Sequence, residues 1–264
     1  MGGGARGVFV KIEDMKKCWA SSLSGCGEKL TGEHIISSSI LDKTIKVKGF
    51  SWCKDKPKEI GSSSFKNKIL CEKHNSDLSK FDLAAKKFVS TIDAFSMKQE
   101  SLRKFGFRKK DLPIIYKING TKLERWCCKT LINICLTQKD EIIIHFDKIL
   151  PAILKNINLE KPYGLSFAVV NGEKIDTNKF IEITPLLSKI HDDKKELAGG
   201  LFTFMGFSFI LLLPCSKQSF FVNNELQLNE NVQKEWIGRQ LNWHNKNIYH
   251  KHQQSILQNI YFKW

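Results

Sequence analysis

The chain has 264 residues, of which 42% are hydrophobic and 26% are charged, so its composition is that of a globular protein and excludes wholesale disorder. Lys and Arg number 42 and Asp and Glu number 27, which gives a formal net charge of +15 at pH 7. This excess favours a polyanionic partner, most simply nucleic acid, and a lysine-rich solvated surface would give the same balance.

The sequence predicts neither an export signal nor a membrane span. Its first residues, MGGGARGVFVKIEDMKK, lack an apolar core followed by a small-residue cleavage site. The longest apolar run, Leu201–Leu213, is shorter than the roughly 20 residues that span a bilayer. We therefore expect a cytoplasmic protein whose eight cysteines are reduced and serve as thiols or metal ligands.

The predicted fold class is α+β, and the chain divides into two parts near residue 95. Residues 1–95 are loop-rich and contain four cysteines and two histidines, so a structural metal is a plausible substitute for a large apolar core. Residues 96–264 have the patterns of an ordinary α+β domain. We expect this second domain to target or regulate the first.

The regular elements are predicted from apolar periodicity in chain order. Helical spacing covers Asp77–Phe95 and Lys122–Leu136, with Glu124 and Lys129 expected on the polar side of the second helix. Three further segments are strand candidates: Leu165–Val170 before an Asn171-Gly172 turn, Lys179–Ile183, and Leu201–Leu213 with a bulge or bend at Gly206. The phenylalanines of the last run are expected in the core.

One constellation of polar residues points to metal-assisted chemistry. Glu33 and His34 offer a carboxylate and an imidazole, and Asn75 offers a neutral oxygen at the start of a predicted helix. One carboxylate and one amide oxygen, with water and phosphate in the remaining positions, suit Mg²⁺. His34 would then be free to deprotonate a water. The simpler alternatives are a structural histidine and a helix N-cap at Asn75.

These residues resemble the HNH endonucleases of the ββα-metal fold over roughly residues 16–90. The matching positions are Glu33-His34, Asn67 and Asn75. The resemblance implies that His34 is the general base, that Glu33 and Asn75 bind Mg²⁺ or Mn²⁺, and that Asn67 orients the His34 loop. It further implies hydrolysis to a 5′ phosphate and a 3′ hydroxyl. Small HNH proteins usually occur in defence systems or mobile elements, so we expect an antiviral-defence or mobile-element context.

The lead-in from Cys26 to His34 is similar to the zinc-bearing subfamily of these nucleases. The expected zinc ligands are Cys18, Cys26, Cys71 and His74, a Cys₃His site that would tie together the two ends of the nuclease loop. Cys53 could replace Cys18 in this set. The other cysteines lie in apolar patterns and are predicted to be core thiols, namely Cys127, Cys128, Cys135 and Cys215.

The functional hypothesis is a metal-dependent endonuclease that hydrolyses DNA, with residues 1–95 as the HNH nuclease domain. Lys66, Lys68 and Lys73 flank the second motif and are candidates for phosphate contacts. RNA is the alternative substrate. Two other functions remain open: a zinc-stapled nucleic-acid-binding module without catalysis, and a degenerate nuclease that acts as a scaffold. A protein partner or a second copy of the chain could bind residues 96–264.

Overall fold

The computed structural model describes the chain in segments, and every structural statement below concerns these residues. They are 17–22, 25–27, 29–41, 44–47, 53, 56, 58–105, 114–138, 141–155, 157–160, 163–168, 181–189, 194–204, 207–216, 220–222, 226–228 and 258–264. The predicted turn at Asn171-Gly172 and the predicted bend at Gly206 lie outside them.

The described part of the chain contains three α-helices and several small sheets, which confirms the α+β prediction. The helices are α1 (Glu72–Phe105), α2 (Gly120–Cys135) and α3 (Phe146–Leu154). The first strands are β1 (Leu30–His34), β2 (Thr44–Val47), β3 (Lys58–Gly61), β4 (Lys66–Cys71), β5 (Ile114–Asn119) and β6 (Ile142–Ile143). The later strands are β7 (Gly164–Ala168), β8 (Ile181–Lys189), β9 (Lys195–Phe204), β10 (Phe207–Leu212), β11 (Phe220–Val222), β12 (Leu226–Leu228) and β13 (Gln258–Lys263).

The first part of the chain is built on a hairpin followed by a helix. Strands β1 and β4 pair antiparallel, with Glu33 opposite Asn67 and His34 opposite Lys66. Strands β2 and β3 form a second antiparallel pair within the connection. Helix α1 begins directly after Cys71, the last residue of β4, so the order is strand, strand, helix. The end of β1 therefore lies beside the start of β4.

The largest sheet of the described residues lies in the second part of the chain. Its strand order is β12-β11-β8-β9-β10-β7, and β6 pairs with β9. The single strand expected over Leu201–Leu213 is two strands, because Phe204 pairs with Phe207 and Phe202 with Phe209 in the antiparallel β9–β10 ladder. Separately, β13 pairs parallel with β5.

The phenylalanines of β9 and β10 lie in the core, as predicted. Phe202, Phe204 and Phe209 are at most 3% exposed. The ring of Phe88 on α1 meets Phe204 and Phe209 edge-on, with centroids 5.3 and 5.4 Å apart. This contact packs the long helix against the large sheet, so the two predicted parts of the chain share one core cluster. The predicted division near residue 95 falls inside α1.

Helix α2 lies inside the protein with residues buried on every side. Trp126 packs against Phe202 and Phe204 at centroid distances of 6.0 and 5.7 Å. Glu124 and Lys129 were expected on a solvated face, but they are 4% and 2% exposed. Each has a partner, since the Glu124 carboxylate accepts the Leu165 backbone N–H at 2.8 Å and Lys129 binds two carboxylates. The apolar pattern gave no sign of these partners, which come from distant segments.

The four cysteines predicted as core thiols are buried, and none forms a disulfide with another described residue: Cys127, Cys128, Cys135 and Cys215. Burial raises the pKa of Cys127 and Cys128 well above the usual thiol range, and burial raises the pKa of Cys135 to about 12. These thiols are therefore protonated and unreactive at neutral pH. In the described part of the chain, no helix has both the length and the apolar content needed to cross a bilayer.

Gly199 in the middle of β9 should be intolerant of any side chain. Its φ is +154°, and a Cβ there would lie 2.0 Å from the Leu211 carbonyl oxygen of β10. Gly199→Ala must separate β9 from β10 and should lower the free energy of unfolding by about 1–3 kcal/mol or more, as measured by chemical denaturation.

The matched control is Gly32→Ala in β1, where a Cβ would meet Lys66 Cδ at an ordinary 3.8 Å. We expect this variant to stay within about 0.5 kcal/mol of the wild type. Equal stability of the two variants would contradict the tight approach of β9 and β10.

Candidate metal centre and the predicted site residues

Four of the predicted metal ligands meet at the junction of β4 and α1. They are Cys18, Cys26, Cys71 and His74, and their donor atoms all lie within 4.8 Å of one another. Cys53, the alternative to Cys18, is not part of this group. The predicted Cys₃His set is thus the set that the fold brings together, and it is compatible with a structural zinc ion.

The local backbone explains how the four residues meet. Cys71 ends β4 and His74 lies in the first turn of α1, so the strand-to-helix junction supplies two ligands. The Trp19 backbone N–H donates to the Ile69 carbonyl at 3.0 Å, which holds the neighbouring Cys18 beside β4. Gly25 has a φ of +79°, a conformation that favours glycine, and it turns the chain just before Cys26.

The donor atoms have a spacing suited to a tetrahedral ion. The His74 Nδ1 atom lies 3.4 Å from both the Cys18 and the Cys71 Sγ atoms. Bond lengths near 2.3 Å for Zn–S and 2.0–2.1 Å for Zn–N require sulfur–nitrogen separations of about 3.5 Å in a tetrahedral site. Cys18, Cys71 and His74 are buried and Cys26 is exposed, so the site has one side towards solvent.

The protonation states of the cluster are set by burial and by backbone hydrogen bonds. Burial raises the pKa of Cys18 to about 12, so metal binding must displace its proton. Burial also acts to raise the pKa of Cys71, but N–H donors of His74 and Gly27 stabilise the thiolate and the net direction is down. Burial lowers the pKa of His74, which keeps its imidazole neutral and able to bind a cation.

The Glu33 carboxylate is engaged by a cation of the protein itself. The Glu33 side chain is buried, and its Oε1 atom lies 2.7 Å from Lys129 Nζ on α2. Asn133 donates its Nδ2–H to the same oxygen at 3.5 Å. Burial raises the pKa of the Glu33 carboxyl, against the opposing effect of the Lys129 charge. Neither contact uses Oε2, and the role of Glu33 as a ligand for Mg²⁺ stays a prediction.

The His34 imidazole has the properties of a proton acceptor. Its Nδ1 atom is buried and has no hydrogen-bond partner among the described residues. Burial lowers the pKa of His34, and the nearby positive charge of Lys66 lowers it further. A neutral imidazole has one nitrogen that accepts a proton. The ring is therefore neutral near pH 7 and keeps one acceptor nitrogen, and its role as a base remains a prediction.

The two asparagines of the motif have different surroundings. The Asn75 Nδ2–H donates to Thr31 Oγ1 at 3.1 Å, which joins the first turn of α1 to β1 near Glu33. Because α1 begins at Glu72, Asn75 is inside the helix and is not its N-cap. The Asn67 side chain is exposed, and its Oδ1 accepts the backbone N–H of Lys68 at 2.8 Å. Asn67 lies opposite Glu33 in the ladder.

A buried polar network behind the motif was not predicted from the sequence. The Lys129 ammonium lies 2.8 and 3.0 Å from the two carboxylate oxygens of Asp82 on α1. The Ser37 hydroxyl donates to Asp82 and accepts the Trp126 indole N–H. These residues come from three distant segments. The available signal was Lys129, the one charged residue in the stretch Trp126–Cys135 of the predicted helix.

Comparison of the chain with protein-family models, with curated proteins and with solved structures finds no match. What this structure supports without such a match is a mixed α+β fold and a candidate Cys₃His metal centre at the β4–α1 junction.

Cys71→Ser should remove the metal. Cys71 is fully buried and is the ligand whose thiolate the backbone stabilises best, so its loss leaves three donors around the cation. We expect about one metal ion per wild-type chain and a stoichiometry near zero for the variant, measured by plasma mass spectrometry on reduced protein.

Cys135→Ser is the matched control, because Cys135 is also buried but belongs to the α2 core. This control should keep its metal even if it loses stability. Absence of metal from folded, reduced wild-type protein would remove the centre, and so would full metal content in Cys71→Ser.

Proposed function

We propose that the chain is a metal-dependent endonuclease of the HNH type that hydrolyses DNA, with His34 as the general base. The observation that carries this proposal is the surroundings of His34. A neutral histidine, whose buried Nδ1 has no hydrogen-bond partner among the described residues, ends strand β1, and the first residue of that strand pairs with Cys71 of the Cys₃His cluster. The other motif residues, Glu33, Asn67 and Asn75, belong to the same two strands and helix.

The cluster would hold a structural Zn²⁺ ion in this proposal. Its four protein donors match a closed tetrahedral site, which leaves no position for substrate. The ion would therefore act on the fold: it would fix Cys71 and His74 at the junction and so fix the angle between β4 and α1. Catalysis would take place at the opposite end of the β1–β4 hairpin, where β1 ends at His34.

The two predicted Mg²⁺ ligands offer the donor type that Mg²⁺ prefers, but a positive charge of the protein lies beside one of them. The hydrogen bonds and the ion pair that hold these side chains use Glu33 Oε1 and Asn75 Nδ2, so they do not involve Glu33 Oε2 or the side-chain Oδ1 of Asn75. Mg²⁺ prefers oxygen donors of this kind. The Lys129 ammonium beside Glu33 repels a second cation. We infer that the site binds Mg²⁺ weakly and gains affinity when a substrate phosphate completes it.

The chain's own residues would have the following roles in the reaction. His34 would accept a proton from the water that attacks the phosphorus atom, and the bond to the 3′ oxygen would break. A bound Mg²⁺ would supply charge stabilisation for the phosphate and the leaving oxygen. Exposed ammonium groups along β4 and the start of α1 would contact the flanking phosphates, and these belong to Lys66, Lys68 and Lys73.

The Glu33–Lys129 ion pair favours a second candidate function, a nucleic-acid-binding module without catalysis. A carboxylate neutralised by a buried ammonium is a poor ligand, whereas the exposed lysines beside it would bind phosphates in any case. This module would bind DNA or RNA with a steep dependence on salt and would release no product with any divalent metal. A degenerate nuclease that acts as a scaffold would show neither property.

His34→Ala should abolish cleavage and leave binding intact. We expect wild-type protein to convert supercoiled plasmid to nicked or linear DNA in Mg²⁺ or Mn²⁺ and not in chelator. The variant should lose about 10²–10⁴-fold in rate, since a positioned general base contributes that much.

Glu160→Ala is the control, because this exposed carboxylate lies outside the hairpin and the helix. It should cleave at the wild-type rate. Metal-dependent cleavage by His34→Ala at the wild-type rate would refute the assignment of the base. Salt-sensitive binding without product from the wild type would select the non-catalytic module.

A further inference from the structure

Two side chains of α2, one helical turn apart, converge on the Glu33-His34 dipeptide. Lys129 and Asn133 are separated by four positions and therefore share a helix face. Lys129 contacts the Glu33 carboxylate at 2.7 Å, and the Asn133 Nδ2 atom lies 3.4 Å from the His34 carbonyl oxygen. Neither residue belongs to the motif, and both come from the part of the chain beyond residue 95.

The Lys129 ammonium restricts the conformation of the Glu33 side chain. Its Nζ atom lies within 3.0 Å of one Glu33 oxygen and both Asp82 oxygens. An ammonium has three N–H bonds to donate, so these acceptors use all of them. The group is buried, and withdrawing it would leave two carboxylates without a counter-charge. Lys129 therefore fixes the Glu33 side chain against α1 and α2.

The Asn133 amide is oriented by a neighbour that can only donate. Its Oδ1 atom accepts the Trp19 indole N–H at 3.2 Å. Because an indole has no acceptor nitrogen, the Asn133 oxygen must face Trp19, and the NH₂ group must face Glu33 and His34. Asn133 is fully buried, and Trp19 is itself tied to β4 by its backbone N–H. The amide thus has one stable orientation.

The family resemblance implied that a different residue orients His34. It implied that Asn67 holds the His34 loop. The Asn67 side chain is exposed, and its Oδ1 accepts a hydrogen bond from the backbone N–H of the next residue, Lys68. The side-chain contact with the His34 backbone is made by Asn133. The geometry separates the two asparagines clearly: one faces solvent and the other is buried behind the histidine.

We propose that Lys129 and Asn133 are positioning residues for catalysis, with Lys129 holding the Glu33 side chain and Asn133 holding the His34 backbone. This proposal rests on the proposed function of His34. It makes the second part of the chain a component of the site, because α2 supplies both contacts. Removal of Asn133 would take a hydrogen-bond donor from the His34 carbonyl oxygen, so that His34 spends less time in line with the attacking water.

The kinetic test compares the same substitution at two asparagines. Asn133→Ala should lower kcat for plasmid cleavage by about tenfold to a hundredfold with little change in KM, because positioning acts on the transition state. Asn158→Ala is the control and should stay within about twofold of the wild type, since this exposed side chain follows α3 and lies outside the motif and α2. Equal effects of the two substitutions would overturn the proposal.

A second readout reports the contact itself. Of the seven histidines, His34 alone is followed by isoleucine, so protein labelled with ¹³C-carbonyl histidine and ¹⁵N-isoleucine gives one signal, from His34-Ile35, in a carbonyl–amide correlation spectrum. The carbonyl carbon shift responds to a hydrogen bond on its oxygen. Asn133→Ala should move this signal, and Asn67→Ala should leave its carbonyl shift unchanged.

Further variants keep the test decisive. If Asn133→Ala fails to fold, Trp19→Phe removes the indole N–H that orients the amide while it keeps the stacked ring against Phe146, and it should lower kcat and move the same signal. Lys129→Met should lower kcat in the same way.

The outcomes separate the two proposals. A wild-type protein that cleaves no DNA would refute the proposed function, and the carbonyl signal would then still decide whether Asn133 holds His34. An unmoved signal in Asn133→Ala and in Trp19→Phe would overturn the positioning proposal, whatever the cleavage activity.

Discussion

The convergence of three thiols and one imidazole at the β4–α1 junction is the constraint on which the first part of the structure depends. Two of the donors, Cys71 and His74, are three residues apart, and the other two reach them from loops that precede β1. Without a cation the cluster places buried thiols against one another, and burial disfavours their ionised forms. A bound ion would turn this unfavourable arrangement into a cross-link between the loops, the hairpin and the helix.

The second constraint is a buried charge cluster with more negative than positive groups. One ammonium, that of Lys129, serves the two carboxylates of Glu33 and Asp82. Such clusters add little net stability compared with apolar packing, but breaking one is costly, about 3–5 kcal/mol for loss of a partner. The cluster therefore makes the relative placement of β1, α1 and α2 specific. That placement also brings α2 against the back of His34.

The sequence allowed some of these features to be predicted and concealed others. The Cys₃His set was predictable because its members flank the motif that resembles the zinc-bearing nucleases, while four other cysteines lie in apolar patterns. Helix α2 was predicted within two residues of its bounds, since its apolar residues recur at helical spacing. Its burial on all sides was not predictable, because Lys129 looks like a solvated residue until Glu33 and Asp82 are placed beside it.

The limits of α1 show the same difference between local and tertiary signals. The apolar period indicated a start near Asp77, whereas the helix begins at Glu72, directly after the strand that carries Cys71. Because the strand-to-helix junction fixes the start of α1, the sequence contains no capping residue that would mark this start. The position of Asn133 behind His34 is likewise invisible in sequence, because the two residues are 99 positions apart.

The most direct test of the account is X-ray absorption spectroscopy at the zinc edge on reduced protein. The structure predicts a four-coordinate shell with three sulfur atoms at about 2.3 Å and one nitrogen at about 2.0 Å. His74→Ala should lose the nitrogen contribution and keep the sulfur atoms or lose the metal. A shell of oxygen and nitrogen atoms without sulfur, or a Cys₃His spectrum that survives unchanged in His74→Ala, would contradict the metal centre at the β4–α1 junction.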